Sequence, residues 1–141
     1  KQLCKDGRCV TGAGAVEIGL ALKLRELADE TPGLDQYAIG KFAESFEVVP
    51  RTLAENSGQD ATKVVSSLYA AHTAGTPNVG VNVDADGTLD AAEAEIFDAM
   101  KPKYSALQLA SDAAITVLRV DTIIMAKRAG GPKVPLNNAP K

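Results

Sequence analysis

A run of oxygen-bearing side chains between Asn82 and Glu93 is the sharpest chemical pattern in the sequence. The run reads NVDADGTLDAAE, and Gly87 stands where a calcium-binding loop turns sharply. Oxygen donors occupy the alternating ligand positions of such a loop: Asn82, Asp84, Asp86, Thr88, Asp90 and Glu93. Because hard divalent cations prefer oxygen ligands, one hypothesis is a small calcium-binding module built on residues 82–93.

The residues around this run favour a different interpretation. Gly75, Pro77 and Gly80 precede it, so the incoming helix of a calcium-binding helix-loop-helix unit is not expected to form. Three valines alternate with small or polar residues ahead of an Asp86-Gly87 turn: Val79, Val81 and Val83. This alternation predicts a short strand, a turn and a returning strand through Thr88-Leu89, which is a small β-hairpin.

Gly12-Ala13-Gly14, at the start of a predicted helix, is a second candidate site. Glycines allow the backbone to approach a phosphate or ribose closely, and the N-terminus of a helix attracts anions. The third glycine of a dinucleotide-binding fingerprint is absent, and the sequence contains no Walker phosphate loop. The same segment therefore also fits a flexible entrance to a helix.

No set of side chains in the sequence matches a nucleophile, a base and an orienting group, so we predict no catalytic residues. His72 is the one histidine and follows Val65 and Tyr69 on a predicted helix face, which indicates a packed side chain. Cys4 and Cys9 are separated by KDGR, a spacing that fits neither a redox pair nor half of a zinc site. We interpret them as free cytosolic thiols.

The elements that must position these residues are mostly helices. The chain has 141 residues, 45% hydrophobic and only 4% aromatic with no Trp, which predicts one mostly α domain. Helical periodicity predicts helices over about 14–31, 34–48, 50–56, 60–74 and 102–119. The first should bury a stripe of larger apolar residues: Val16, Leu20, Leu24 and Leu27. β-branched residues over 120–125 predict a C-terminal strand.

The charge pattern limits the classes of partner. A net charge of −3 does not favour nucleic acid or an anionic membrane, and no apolar run is long enough to span a bilayer. After Asp121 every charged residue is basic, and prolines interrupt the sequence three times. Residues 128–141 are therefore predicted to form a disordered basic tail.

Three longer runs resemble the carboxyl-terminal part of the group II chaperonins: TGAGAVEIGLAL, PGLDQYAIGKFAESFEVVPRTLAENSG and AAITVLRVDTIIMAK. They occur in unbroken order over nearly the whole chain. PGLDQYAIGKFAESFE and IIMAKRAGGPK are most similar to the eukaryotic cytosolic members, CCT/TRiC. The resemblance implies a helical equatorial-domain half with a small β-hairpin and a C-terminal strand. It implies that residues 1–11 end the intermediate domain and residues 12–127 form the C-terminal half of the equatorial domain.

The function implied by this resemblance is that of an ATP-dependent cytoplasmic chaperonin subunit, which assists protein folding in a hetero-oligomeric double ring. In that family the equatorial domain binds ATP or ADP, with Mg in the intact subunit, and makes most ring contacts. Unfolded client proteins bind the apical domain, which lies outside this sequence. The implied nucleotide-binding residues are Gly12, Gly14, Asn82, Ile96 and Asp98.

The roles of these residues also follow from the resemblance. Gly12 and Gly14 belong to the family's glycine triplet, Asp98 is its acidic ribose contact, and Ile96 lines the adenine pocket with Asn82 nearby. The middle glycine of the triplet is Ala13 here, and its Cβ is expected to crowd the nucleotide. The resemblance also makes the run from Asn82 to Glu93 the hairpin turn that precedes the ribose contact. The calcium-binding module and an interaction domain without chaperonin activity remain the alternatives.

The catalytic parts of the family lie outside this sequence. Its GDGTT phosphate loop and its hydrolytic aspartate are upstream of the position that corresponds to Lys1. We therefore expect this segment not to hydrolyse ATP, because the groups that hold the triphosphate and position water are elsewhere. Binding of ATP is expected in the millimolar range or weaker, which corresponds to about −4 kcal/mol.

Overall fold

A computed structural model describes residues 3–126 and Gly130 and contains two compact units, which divide between Ala106 and Leu107. The first unit contains four strands and four complete helices: β1 (Cys9–Thr11), α1 (Ala15–Glu30), α2 (Asp35–Ser45), α3 (Val48–Asn56), α4 (Ala61–Thr73), β2 (Val79–Val81), β3 (Thr88–Asp90) and β4 (Phe97–Ala99). The last helix, α5 (Met100–Leu118), spans the division. The predicted mostly α fold class is thus confirmed.

α1 begins after two residues in the left-handed region, Ala13 at φ +54° and Gly14 at φ +79°. Its buried residues are mostly small: Ala15, Glu17, Ile18, Ala21 and Ala28. The predicted stripe of larger side chains is wrong, because Leu27 is 49% exposed and the other three members are only partly buried. Small side chains allow neighbouring elements to approach the helix closely, so alanines occupy the buried face.

The boundaries of α3 and α4 follow from backbone chemistry. Pro50 lies in the first turn of α3, where its missing N–H costs no helical hydrogen bond. Gly58, at φ +79°, follows the end of α3 in the left-handed conformation typical of a helix C-terminus. Asp60 caps α4, since its carboxylate accepts hydrogen bonds from the N–H groups of Thr62 and Lys63 at 3.1 and 3.3 Å. The predicted break at Ser57-Gly58 and the Asp60 cap are confirmed, whereas the break predicted between Val48 and Pro50 is wrong, because α2 ends at Ser45 and α3 already begins at Val48.

The hydrophobic core joins α1, α3, α4 and β2. Its buried members are Ile18, Ala54, Ala61, Val64, Val65, Leu68 and Val81. Half-buried side chains pack around them: Leu22, Leu53, Tyr69 and Val79. Burial of Val81 in this core holds β2 next to the loop that precedes α1, which also fixes one wall of the site described below.

Two small antiparallel sheets complete the first unit. β2 pairs with β3, with Val81 opposite Thr88, so the predicted hairpin is confirmed. β1 pairs with β4, with Val10 opposite Asp98. The sequence pattern does not predict β1 or β4, because strands of only three residues are too short to show an alternating pattern. This second pairing brings the two ends of the first unit's sequence together.

The second unit contains the end of α5 and the residues that follow it. Residues 120–126 have no regular secondary structure, so the predicted C-terminal strand at Val120 to Met125 is wrong. A strand requires backbone hydrogen bonds to a neighbour, and within residues 3–126 the paired strands are β1 with β4 and β2 with β3. The predicted tail at 128–141 lies outside the described residues, except for Gly130. Among the described helices, none has the length and apolar character needed to cross a membrane.

Candidate functional site

A cavity of about 390 Å³ lies beside the loop that precedes α1. Its lining residues are Ala13, Gly14, Val49, Leu53, Val81, Val83, Ile96, Asp98 and Lys103. Most of these walls are apolar, and Asp98 and Lys103 supply the charged groups. A concave apolar site with a few polar groups is typical of small-molecule binding. Another cavity, of about 520 Å³, is lined by residues such as Cys9, Lys23 and Phe97 and by none of the predicted site residues.

Direct contacts hold the glycine loop, which is Gly12 to Gly14, against the residue that precedes β4. The N–H group of Gly12 donates a hydrogen bond to the carbonyl oxygen of Ile96 at 2.9 Å. A Cβ atom on Gly12 would lie 2.9 Å from Cγ2 of Ile96, and one on Gly14 would lie 2.9 Å from Cβ of Pro50. Both distances are too short for a real Cβ contact. The close packing against Pro50 and the left-handed backbone therefore require a glycine at position 14, and a side chain at position 12 would have to displace Ile96.

Ala13 connects the same loop to β2. Its carbonyl oxygen accepts a hydrogen bond from the N–H group of Val81 at 2.8 Å. A Cβ atom on Gly80 would lie 2.7 Å from both Cβ and the carbonyl oxygen of Ala13, so Gly80 is required by this contact. Ala13 adopts the left-handed conformation, which costs a non-glycine residue about 1–2 kcal/mol. Its methyl group lies at the wall of the cavity.

Three charged side chains from separate elements meet next to this cavity, and two of them, Asp98 and Lys103, line it. The Lys103 Nζ atom lies 2.8 Å from Oδ2 of Asp98 and 2.7 Å from Oε1 of Glu17. Glu17 is only 8% exposed, and its Oε2 atom is buried with no hydrogen-bond partner among the described residues. Burial alone would lower the pKa of Lys103, but its hydrogen bonds to Asp98 and Glu17 outweigh burial and raise that pKa. Lys103 is therefore charged at neutral pH.

Asn82 is placed differently from the other predicted site residues. Its Oδ1 atom accepts hydrogen bonds from the N–H groups of Asp84 and Ala85 at 3.1 and 3.2 Å. The amide of Gln59 donates to the Asn82 carbonyl oxygen, and Oε1 of Gln59 accepts from the N–H group of Gly87 at 2.9 Å. The structure thus brings Gly12, Gly14, Ile96 and Asp98 together, whereas the Asn82 side chain stabilises its own loop.

The loop around Asn82 lacks the architecture of the calcium-binding alternative. It is flanked by β2 and β3, where that alternative requires two helices. Asp90 uses Oδ1 to accept hydrogen bonds from the N–H groups of Ala92 and Glu93 at 2.8 and 3.2 Å. Within the part of the chain that the structure describes, no three His, Cys, Asp or Glu side chains cluster in a way that could hold a metal ion. The geometry therefore supports a hairpin turn.

Three residues that lie at or next to this cavity or contact the Asn82 loop have no clear signal in the sequence pattern: Glu17, Lys103 and Gln59. Glu17 stands between two apolar residues in the first turn of α1, a weak signal of burial that the helical periodicity did not reveal. Its partner Lys103 lies 86 positions away, and no local pattern connects them. Nε2 of His72 hydrogen-bonds to the Val79 carbonyl oxygen at 2.8 Å, and the thiols of Cys4 and Cys9 are exposed and not joined in a disulfide.

The family and the individual proteins that this chain matches agree with each other. The TCP-1/cpn60 chaperonin family matches residues 1–128. T-complex protein 1 subunit theta of Homo sapiens is 54% identical over 137 residues, and the subunit of that name from Dictyostelium discoideum is 52% identical over 135 residues. Each comparison covers 96% of this chain and 25% of the relative. The chain therefore spans about a quarter of the length of the curated relatives that it matches.

A solved structure agrees with these relatives. The open-state monomer of a group II chaperonin from Methanococcoides burtonii matches with a TM-score of 0.79 and 36% sequence identity. The match covers 82% of this chain and 29% of that chain. The family match extends over residues 1–128, and the fold of most of the chain recurs in a solved chaperonin. On both grounds, the chain belongs to the TCP-1/cpn60 chaperonin family.

Proposed function

We propose that this chain is the carboxyl-terminal equatorial segment of a theta-type chaperonin subunit and that it forms the nucleoside side of an ATP pocket. Residues 1–11 would end the intermediate domain, and residues 12–127 would form the second half of the equatorial domain. The observation that carries the proposal is the cavity at which Gly14, Ile96 and Asp98 meet. Its apolar walls suit an adenine ring, and its carboxylate suits hydroxyl donors.

Each residue has a defined task in this proposal. The Asp98 carboxylate accepts hydrogen bonds from ribose hydroxyl groups, and the Ile96 side chain packs against the base. The backbone of Gly12 and Gly14 lets the sugar approach the N-terminus of α1. Asn82 can contact the base only if its side chain leaves the N–H groups of Asp84 and Ala85.

ATP supplies the free energy that drives the folding cycle of an intact chaperonin. The 141 residues contain no GDGTT motif, so we assign the triphosphate, its Mg ion and the hydrolytic aspartate to other segments of the subunit. In this division of labour the present residues bind and orient the nucleoside. We expect this chain to release no phosphate from ATP above a buffer blank.

The partners follow from the same proposal. The intact subunit would assemble with other chaperonin subunits in a cytoplasmic, hetero-oligomeric double ring, and unfolded clients would bind its apical domain. The support comes from relatives that are named as subunits of T-complex protein 1. The net charge of −3 gives no reason to add nucleic acid or a membrane surface as a partner.

Titration of the 15N-labelled chain with adenosine tests the proposal. We expect millimolar affinity, about −4 kcal/mol, with the largest chemical-shift changes at the amides of Gly12, Gly14, Ile96 and Asp98. Asp98→Asn should weaken binding, whereas Asp112→Asn, at an exposed position on α5, should leave it unchanged. Shift changes that are absent, or that are scattered over residues away from the cavity, would contradict the proposal.

A further inference from the structure

The two carboxylate oxygen atoms of Asp98 have different surroundings. Lys103 holds Oδ2 at 2.8 Å, and within residues 3–126 the other oxygen, Oδ1, makes no hydrogen bond. The Asp98 side chain is half exposed, and both residues line the cavity. A carboxylate with one oxygen fixed and the other open is oriented to accept a hydrogen bond from a ligand.

Glu17 forms the second ion pair of Lys103. Its Oε1 atom lies 2.7 Å from Lys103 Nζ, and both side chains of this ion pair are largely buried. The pair joins the first turn of α1 to the first turn of α5. Because α1 and α5 fix both ends of this pair, the ammonium group has little freedom to leave Asp98. Through Lys103, the position of the Asp98 carboxylate depends on the position of α1.

A purely structural ion pair would need only one of these carboxylates. Glu17 alone neutralises the largely buried Lys103, yet Lys103 also forms an ion pair with the half-exposed Asp98 at the cavity wall. Without the lysine, two carboxylates would remain near each other, and their repulsion would favour a different orientation of the Asp98 side chain. The second contact therefore matters most for the side chain that faces the ligand.

We infer that Lys103 is a positioning residue, which orients Asp98 to accept hydrogen bonds from ribose hydroxyl groups and so provides selectivity for ribose over deoxygenated sugars. The inference rests on the proposed function, because it takes a nucleoside as the occupant of the cavity. It adds a residue and a specificity to that function. Glu17 acts one step further from the ligand, as the anchor of Lys103.

The test compares adenosine with 2′,3′-dideoxyadenosine, which carries the same base but lacks both hydroxyl groups. Affinities are measured by chemical-shift titration of the same 15N-labelled chain. The unmodified chain should bind adenosine about tenfold more tightly, since a hydrogen bond to a charged acceptor contributes on that scale. Asp98→Asn should reduce this preference.

Lys103→Met should abolish the preference by weakening adenosine binding and leaving dideoxyadenosine binding unchanged. Lys103→Arg should retain part of it, because a guanidinium can also bridge two carboxylates. The matched control is Lys101→Met, which removes an exposed lysine from the same helix turn. If Lys103→Met does not fold, Glu17→Gln combined with Lys103→Met removes the unpaired buried charge and allows the same comparison.

The outcomes separate the inference from the proposed function. If the unmodified chain and Asp98→Asn bind both nucleosides equally, the proposed function fails and the inference fails with it. If Asp98→Asn loses the preference but Lys103→Met keeps it, only the inference is overturned. An equal loss of affinity for both nucleosides in a folded Lys103→Met variant would also overturn the inference, because that result indicates a general structural role. Selective loss of adenosine binding supports it.

Discussion

Two regions of the molecule carry acidic side chains in very different ways. In the β2–β3 hairpin, Asn82 in the loop and Asp90 at the end of β3 accept hydrogen bonds from backbone N–H groups two and three positions further along the chain. At the cavity, Glu17 and Asp98 share Lys103, which lies 86 positions from Glu17. The region with the metal-binding pattern in sequence is therefore a hairpin turn, and the charged cluster of Glu17, Asp98 and Lys103 forms where no local pattern connects the three residues.

The difference has a physical cause. Short Asp and Asn side chains reach backbone N–H groups two or three positions further along the chain, so local spacing alone satisfies Asn82 and Asp90. A buried glutamate has no water to solvate its charge and requires a cation that the fold brings to it. Spacing in sequence thus reports local capping reliably, whereas it carries almost no information about a long-range ion pair.

The largest expected effect comes from breaking the long-range cluster. Lys103→Met leaves the Glu17 carboxylate buried without a counterion, which should lower the free energy of unfolding by about 3 kcal/mol. Urea denaturation measures it. Lys101→Met should change the same quantity by less than about 0.5 kcal/mol, since that side chain is exposed. Equal effects of the two substitutions would show that burial of Glu17 does not govern stability here.

The second effect tests the contact that connects the two regions. Gly80→Ala would place a Cβ atom 2.7 Å from the Ala13 backbone, and the overlap should destabilise the fold by about 2 kcal/mol. Gly40→Ala is the matched control, because its Cβ meets open space on a helix and should be neutral or stabilising. Thermal unfolding of both variants is the measurement. A tolerated Gly80→Ala would contradict the close approach of β2 to the glycine loop.

The third effect comes from a substitution that removes hydrogen bonds to the β2–β3 loop. Gln59→Leu removes the amide that contacts Asn82, Ala85 and Gly87, which should cost about 1–2 kcal/mol. Amide hydrogen exchange should accelerate at Gly87 and remain unchanged at Gly12. Gln108→Leu, at an exposed position on α5, serves as the control. Faster exchange at Gly12 as well would mean that the loop and the cavity are one cooperative unit.

A smaller effect is expected for Ala13→Gly at the cavity wall. Relief of the left-handed conformation gains about 1–2 kcal/mol, and the greater entropy of the unfolded glycine offsets much of that gain. The net change in the free energy of unfolding should be between zero and about 1 kcal/mol of stabilisation. Removal of the methyl group should also tighten adenosine binding in the chemical-shift titration. Weaker binding would show that Ala13 does not crowd the nucleoside.

The smallest expected effect is that of calcium on the hairpin loop. Millimolar calcium should leave the melting temperature unchanged, because a ligand stabilises a protein only when its concentration exceeds its dissociation constant. Differential scanning calorimetry with and without a chelator provides the measurement. A rise in melting temperature that disappears in both Asp84→Ala and Glu93→Ala would restore the calcium-binding hypothesis.

Much of the local structure was predictable from individual residues. Asp60 as the cap of α4, Pro50 in the first turn of α3 and the hairpin around Asp86-Gly87 each depend on backbone chemistry within a few positions. The wrong predictions concern features that depend on contacts between residues far apart in the sequence. The α1 face was misassigned because alanines pack at close approach, and a strand was predicted at Val120 to Met125, where the described residues provide no partner.

The sequence alone determined the end of α3, the cap of α4, the hairpin and the resemblance to a chaperonin, because these depend on residue types over short or continuous stretches. It also indicated Gly12, Gly14, Ile96 and Asp98 through that resemblance. Only the tertiary structure showed that Asn82 is committed to its own loop and that Glu17 and Lys103 meet Asp98. The reason is that burial and electrostatic pairing depend on distances in space, and the packing of α1, β4 and α5 sets those distances.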